Sequence, residues 1–188
     1  MIGAFKLQTK VWKIKDPDLE KCDSHTEFMQ DFPMGKLDFK IDKKADGILI
    51  TMTGVIDEDA DFGRAQIAGA KKIELHLSGV KSINSCGIRD WIKWMSQAGT
   101  AEIQWIECPK VIVDQVNMVD GFLPTNARVV SFYVPYFNES LGEEKNVLYR
   151  LGTEYKDKTV QHPVVKGGGG EEFELDVIES KYFKFITK

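Results

Sequence analysis

The chain has 188 residues, 43% of them hydrophobic and 29% charged, with a net charge of −4. That is material for one ordinary domain plus an appendage, and mild acidity without a basic stripe argues against a nucleic-acid binder or a protein of anionic membrane surfaces. No apolar run approaches the ~18–20 residues of a membrane helix, and Met1-Ile2-Gly3-Ala4-Phe5-Lys6 lacks the apolar stretch and cleavage site of a secretory signal.

Residues 1–36 read as an N-terminal extension. Phe5, Leu7 and Val11 suggest a strand around Thr9, and the stretch from Asp16 to Gly35 is polar and broken by Pro17 and Pro33. From Leu37 to Phe137 the pattern alternates between strand and helix. Leu37, Phe39 and Ile41 alternate with polar neighbours as a half-buried strand does. Asp46-Gly47 signals a turn, and Ile48 to Val55 follows as the second strand of a hairpin. Asp57 to Ala70 reads as a short helix, and Ile73, Leu75 and Leu77 as a third strand. Ile88, Trp91, Ile92 and Met95 lie at helical spacing, predicting a helix from Cys86 to Ala98 that Gly99 ends. Glu102 to Glu107 is a fourth strand, Lys110 to Met118 a helix introduced by Pro109, and Arg128 to Phe137 a fifth strand. Such alternation predicts an α/β sheet with crossover helices.

From Asn138 to Lys188 the character changes. Val147, Tyr149 and Leu151 alternate, as do Phe173, Leu175 and Val177, predicting antiparallel strands. Gly167 to Gly170 reads as a flexible connection, since four glycines cost too much chain entropy inside an element. The three cysteines, Cys22, Cys86 and Cys108, are too scattered for a disulfide framework or a zinc knuckle. A reducing, cytoplasmic setting is the expectation.

The most informative stretch runs from Leu75 to Ile88, where a strand gives way to a helix at Asn84-Ser85-Cys86-Gly87. A helix N-terminus carries unpaired N–H groups and partial positive charge. Asn84 or Ser85 can cap it, and a phosphate on Ser85 would sit favourably against those donors. Leu75-His76-Leu77-Ser78, then Asn84-Ser85-Cys86-Gly87, with Thr53-Gly54-Val55-Ile56-Asp57 upstream, resembles the STAS domain (sulphate transporter and anti-sigma-factor antagonist) across Leu37–Phe137. The resemblance implies a mixed, mostly parallel sheet with packed helices and a non-catalytic module that binds a regulatory protein, such as a serine kinase or anti-sigma factor. It makes Ser85 the phosphorylation candidate, and Asn84, Ser85, Cys86, Gly87 and Ile88 the partner surface. Trp94, on the edge of the apolar helix face, joins that surface if exposed. Two positions depart from the family: its strand aspartate is His76 and its loop aspartate is Asn84, which removes negative charge near Ser85.

The tail from Val134 to Lys188 resembles a zinc ribbon that has lost its cysteine ligands. Near His162-Pro163-Val164-Val165-Lys166-Gly167 only His162 could ligate, and structural zinc needs four ligands, so no metal and no other cofactor is expected. Asp57, Asp59 and Asp61 mimic a calcium loop, but the glycine falls one place late and Ala68 stands where the loop needs Glu; carboxylates at a helix N-terminus fit better. Two rival functions stay open: a nucleotide or lipid sensor with a pocket near the helix N-termini, and an enzyme pairing Cys86 with His76. His25 and His162 read as exposed loop residues. The oligomeric state is open, with an exposed edge strand in the tail able to pair with a second copy.

Overall fold

The computed structural model describes residues 35–187; the strand expected around Thr9, and Cys22 and His25, lie outside them. Strands β1 (Asp38–Lys43) and β2 (Ile48–Ile56) form the expected hairpin about Asp46-Gly47. β3 (Lys72–Ile83), β4 (Glu102–Ile106) and β5 (Ala127–Val129) then add in parallel, giving the order β1-β2-β3-β4-β5. Helix α1 (Ser85–Met95) connects β3 to β4, and α2 (Lys110–Met118) connects β4 to β5. Each parallel step moves the same way across the sheet, so right-handed crossovers put their connections on one face.

The register shows which face is which. Ile41, Ile50, Leu75, Trp105 and Val129 align across all five strands, and Trp105 meets Trp91 of α1 edge-on at 5.2 Å. Ile50, Leu75 and Trp105 are fully buried there. The alternate rows, Lys40-Thr51-His76-Ile106 and Asp42-Leu49-Glu74-Gln104-Arg128, carry mostly polar groups on the opposite face. Period-two alternation in the sequence is the imprint of this one-sided burial.

Three expected elements differ. Asp57–Ala70 is not a helix: only Phe62–Arg64 makes a 3₁₀ turn. Asp57 Oδ1 accepts from the Asp59 N–H, and Asp61 Oδ1 from the Gly63 N–H, both at 3.0 Å. These local bonds compete with helix, and Gly69 takes φ +78°. Second, β3 continues past Leu77 to Ile83, because β2 runs beside it to Ile56, with irregularities after Thr51 and Gly54. Third, the stretch Arg128–Phe137 is two strands, not one. β5 ends at Val129, and β6 (Ser131–Asn138) belongs to a second sheet. At this junction the Val130 N–H donates to the Trp105 carbonyl at 2.7 Å, while the Leu151 N–H donates to the Val130 carbonyl at 2.9 Å.

The second sheet is antiparallel, as the alternation predicted, in the order β10 (Val165–Lys166), β11 (Glu172–Leu175), β6, β7 (Glu143–Arg150). A small hairpin of β8 (Tyr155–Lys156) and β9 (Thr159–Val160) follows β7. The glycine run is the tight turn between β10 and β11, where the Gly167 N–H donates to the Glu171 carbonyl at 2.7 Å and Gly170 takes φ +94°. Two short helical turns, α3 (Glu179–Tyr182) and α4 (Lys184–Thr187), end the fold. Phe132 of β6 gathers Tyr149, Tyr155, Tyr182, Phe183 and Phe185 around it, centroids 5.3–6.2 Å away.

His162 lies in an exposed loop, as expected, with its ring against Tyr149 and Phe183. Its Nδ1 lies 2.9 Å from the Tyr149 hydroxyl, which is 2.6 Å from that of Tyr136, and its Nε2 lies 3.4 Å from Glu179. Asn138 links the two hairpins: Nδ2 donates to the Glu172 carbonyl at 2.6 Å and Oδ1 accepts from the Leu141 N–H at 2.8 Å.

Candidate functional site

β2 and β3 end together, with Ile56 paired to Ile83. Asn84 then turns the chain. Its backbone N–H donates to the Ile56 carbonyl at 3.1 Å, its own conformation stays extended, and its Oδ1 accepts from the Gly87 N–H at 2.9 Å. The Ile88 N–H closes the first turn on the Asn84 carbonyl at 2.9 Å. Asn84 is therefore the N-cap, and Ser85 is the first helical residue and exposed.

The five corner residues are not alike. Asn84 and Ser85 are exposed, Cys86 and Ile88 half-buried, and Gly87 buried. A Cβ at Gly87 would run into the Ile56 carbonyl oxygen and sit 2.7 Å from its carbon. Gly87 thus lets α1 start hard against β2; it shapes the corner from beneath and offers no contact surface.

The negative charge expected to be missing is supplied from another element. Glu58, just beyond β2, accepts from Asn84 Nδ2 at 2.7 Å. A hydrogen bond from its own backbone, then that from Asn84, hold its carboxyl below the ordinary value of 4.5. The corner carries a carboxylate although position 84 is an amide. The sequence does not single out Glu58, because a helix over Asp57–Ala70 would point those acids at its dipole; its one signal is its place right after the Gly54–Asp57 turn.

His76 is elsewhere. It lies in mid-β3 on the polar sheet face, between Thr51 and Ile106. From there to Ile83 the strand rises roughly 20 Å at its usual ~3.3 Å per residue, so Cys86 and His76 do not form a hydrogen-bonded pair. Cys108 is buried, and desolvation pushes its thiol well above the ordinary range; it is the unreactive kind of cysteine.

Trp94 is not a surface anchor. It is 2% exposed, its indole N–H donates to the Ala65 carbonyl at 2.7 Å, and its ring stacks on Phe62 at 4.9 Å. The irregular segment after β2 covers it, so the apolar stripe of α1 is wider than Trp91 and Met95 alone suggest. Open clefts flank α2 instead. One of about 680 Å³ is bordered by Asn117, Met118, Ile178 and Lys181. The other, of about 630 Å³, includes Ser78, Lys81, Pro109, Lys110 and Tyr133. Among the described residues no three His, Cys, Asp or Glu side chains gather as a metal site, and Asp57, Asp59 and Asp61 serve their own loop as described above.

No protein-family model, no curated protein and no solved structure matches this chain. No helix among the described residues is long and apolar enough to cross a membrane.

Proposed function

We propose that the chain is a non-catalytic, STAS-type regulatory module that docks a serine kinase or anti-sigma factor on the corner formed by Asn84, Ser85, Cys86 and Ile88, and that phosphorylation of Ser85 releases it. The observation that carries this reading is the exposed Ser85 at the first position of α1, directly after the long strand β3. Asn84 occupies the Gly87 amide, while the Ser85 and Cys86 amides belong to the first turn, which lacks intrahelical partners. A phosphate there brings about −1.5 to −2 charges. It is attracted by the helix terminus and repelled by Glu58, with which it competes for Asn84 Nδ2. A surface that already presents the Glu58 carboxylate becomes strongly anionic, and a partner fitted to the first state loses complementarity with the second. An antiparallel hairpin followed by parallel strands, with helices in the β3–β4 and β4–β5 connections but not in the β2–β3 one, supports the mixed α/β part of the STAS resemblance.

The test uses the tagged full chain as bait in native lysate, comparing wild type, Ser85→Ala and Ser85→Asp by quantitative mass spectrometry. One partner should be retained by the first two and lost from the third. Identical partner sets for all three remove the switch. A partner that ignores Ser85 but is lost with Met118→Glu or Ile178→Glu moves the site to the α2 cleft. That cleft region supports a second reading, a nucleotide or lipid sensor, because Lys110 and Ser78 border the opening beside the α2 N-terminus. A ligand-dependent rise in Tm abolished by Lys110→Glu would favour it.

A further inference from the structure

Strand β1 is the border of the five-stranded sheet, and its outer edge can be read residue by residue. The Lys44 N–H donates to the Gly47 carbonyl at 2.8 Å, continuing the register that pairs Lys43 with Ile48 and Asp38 with Thr53. In an antiparallel ladder such hydrogen-bonded pairs alternate. Asp38, Lys40 and Asp42 therefore turn their backbone groups toward β2, and Phe39, Ile41 and Lys43 turn theirs outward. Arg64 closes one end of this edge: Nη1 reaches the Leu37 carbonyl at 3.5 Å, and Nη2 pairs with Asp38 at 2.8 Å. Among the described residues three outward residues remain, each with a donor and an acceptor.

Exposed edges usually carry charges that discourage pairing with another chain. Here the charges alternate in sign along the polar face, as Asp38, Lys40, Asp42, Lys44, so their effect depends on register. An antiparallel second copy must set outward residues against outward residues. With Phe39 opposite Ile41, Lys40 faces Lys40 and Asp38 faces Asp42. With Ile41 opposite Lys43, Asp42 faces Asp42 and Lys40 faces Lys44. With Ile41 opposite Ile41, Lys40 faces Asp42 and Asp38 faces Lys44, each twice by symmetry. Like charges directly opposite destabilise a strand pair and unlike charges stabilise it. Phe39 opposite Phe39 and Lys43 opposite Lys43 also set Asp against Lys, but only Ile41 opposite Ile41 does so while pairing Phe39, Ile41 and Lys43 all at once.

We propose that β1 pairs with β1 of a second copy of this chain, antiparallel, about a twofold axis at Ile41, joining the two sheets into one. The contact is isologous and closes as a dimer. It is independent of the Ser85 reading, since β2 separates β1 from β3 and the corner stays free in both copies.

Sedimentation equilibrium of the full chain tests this, comparing wild type with Lys40→Asp, Asp42→Lys, the double exchange Lys40→Asp/Asp42→Lys, and Lys43→Pro. Wild type should form a reversible dimer. Each single reversal should raise the dimer Kd roughly tenfold or more, because two pairs turn repulsive at once. The double exchange should restore dimerisation. Lys43→Pro removes an outward N–H that the β1–β2 ladder does not use, and should abolish the dimer while leaving Tm near wild type. A monomer at every concentration overturns the proposal, as does a dimer indifferent to the reversals or a double exchange no tighter than either single one. The charge exchange decides the matter even if Lys43→Pro proves unstable.

Discussion

Replacing Gly87 by alanine sets two physical effects against each other. Alanine is the better helix former by about 1 kcal/mol, so local propensity predicts a more stable α1. Packing predicts the reverse, because the added methyl meets the backbone of Ile56, which cannot swing aside as a side chain tip can. Relief requires the start of α1 to move off β2, straining the bond from the Asn84 N–H to Ile56. Overpacking of this kind costs about 1–3 kcal/mol, and a rigid obstacle places it at the upper end. After the propensity gain, the net loss is about 1–2 kcal/mol, or a Tm lowered by roughly 2–8 °C at this chain length. Urea unfolding followed by tryptophan fluorescence should show a lower midpoint at unchanged slope. A Gly87→Ala protein as stable as wild type, or more so, would refute the close approach of α1 to β2.

Trp94→Ala should cost about 3–5 kcal/mol of stability, measured by the same urea titration, as befits a buried ring. Trp94→Phe should cost less, mainly by leaving the Ala65 carbonyl unpaired. Tyr149→Phe removes the hydroxyl between Tyr136 and His162, and the buried Tyr136 hydroxyl left behind should cost about 1–3 kcal/mol, read by thermal unfolding. Glu74, clasped by Lys72 at 2.8 Å and Lys44 at 3.0 Å, has its carboxyl held below the ordinary 4.5, chiefly by the hydrogen bond from Lys72. Its folded value lies under its unfolded value, so its contribution is complete above the ordinary range and is lost as pH falls through the lowered one. Stability measured between about pH 6 and 3 should fall on acidification, and Glu74→Gln should flatten that fall.

Much of the fold could be read from alternation, because one face of the five-stranded sheet is packed and the other is polar, leaving period two in β1, β3 and β4. Helix α2 was legible from Pro109 and the spacing of its apolar residues, and α1 from Ile88, Trp91 and Met95. Asp57–Ala70 misled because its carboxylates bond to their own loop amides, a preference that composition shares with helix starts. The break at Val130 was invisible because residues on both sides of it favour strand; only the tertiary path of β5 into the second sheet decides it. At the corner, Asn84, Ser85 and Gly87 could be recognised from local chemistry. Glu58 and the burial of Trp94 could not, since both depend on where the segment after β2 comes to rest.

The most direct measurement is amide hydrogen exchange on the chain alone and with its captured partner. Protection gained across Asn84–Arg89, and absent when Ser85 is phosphorylated, is the predicted result. Protection confined to α2 and the tail, with exchange at Asn84–Arg89 unchanged, would contradict the assignment of that corner as the docking surface.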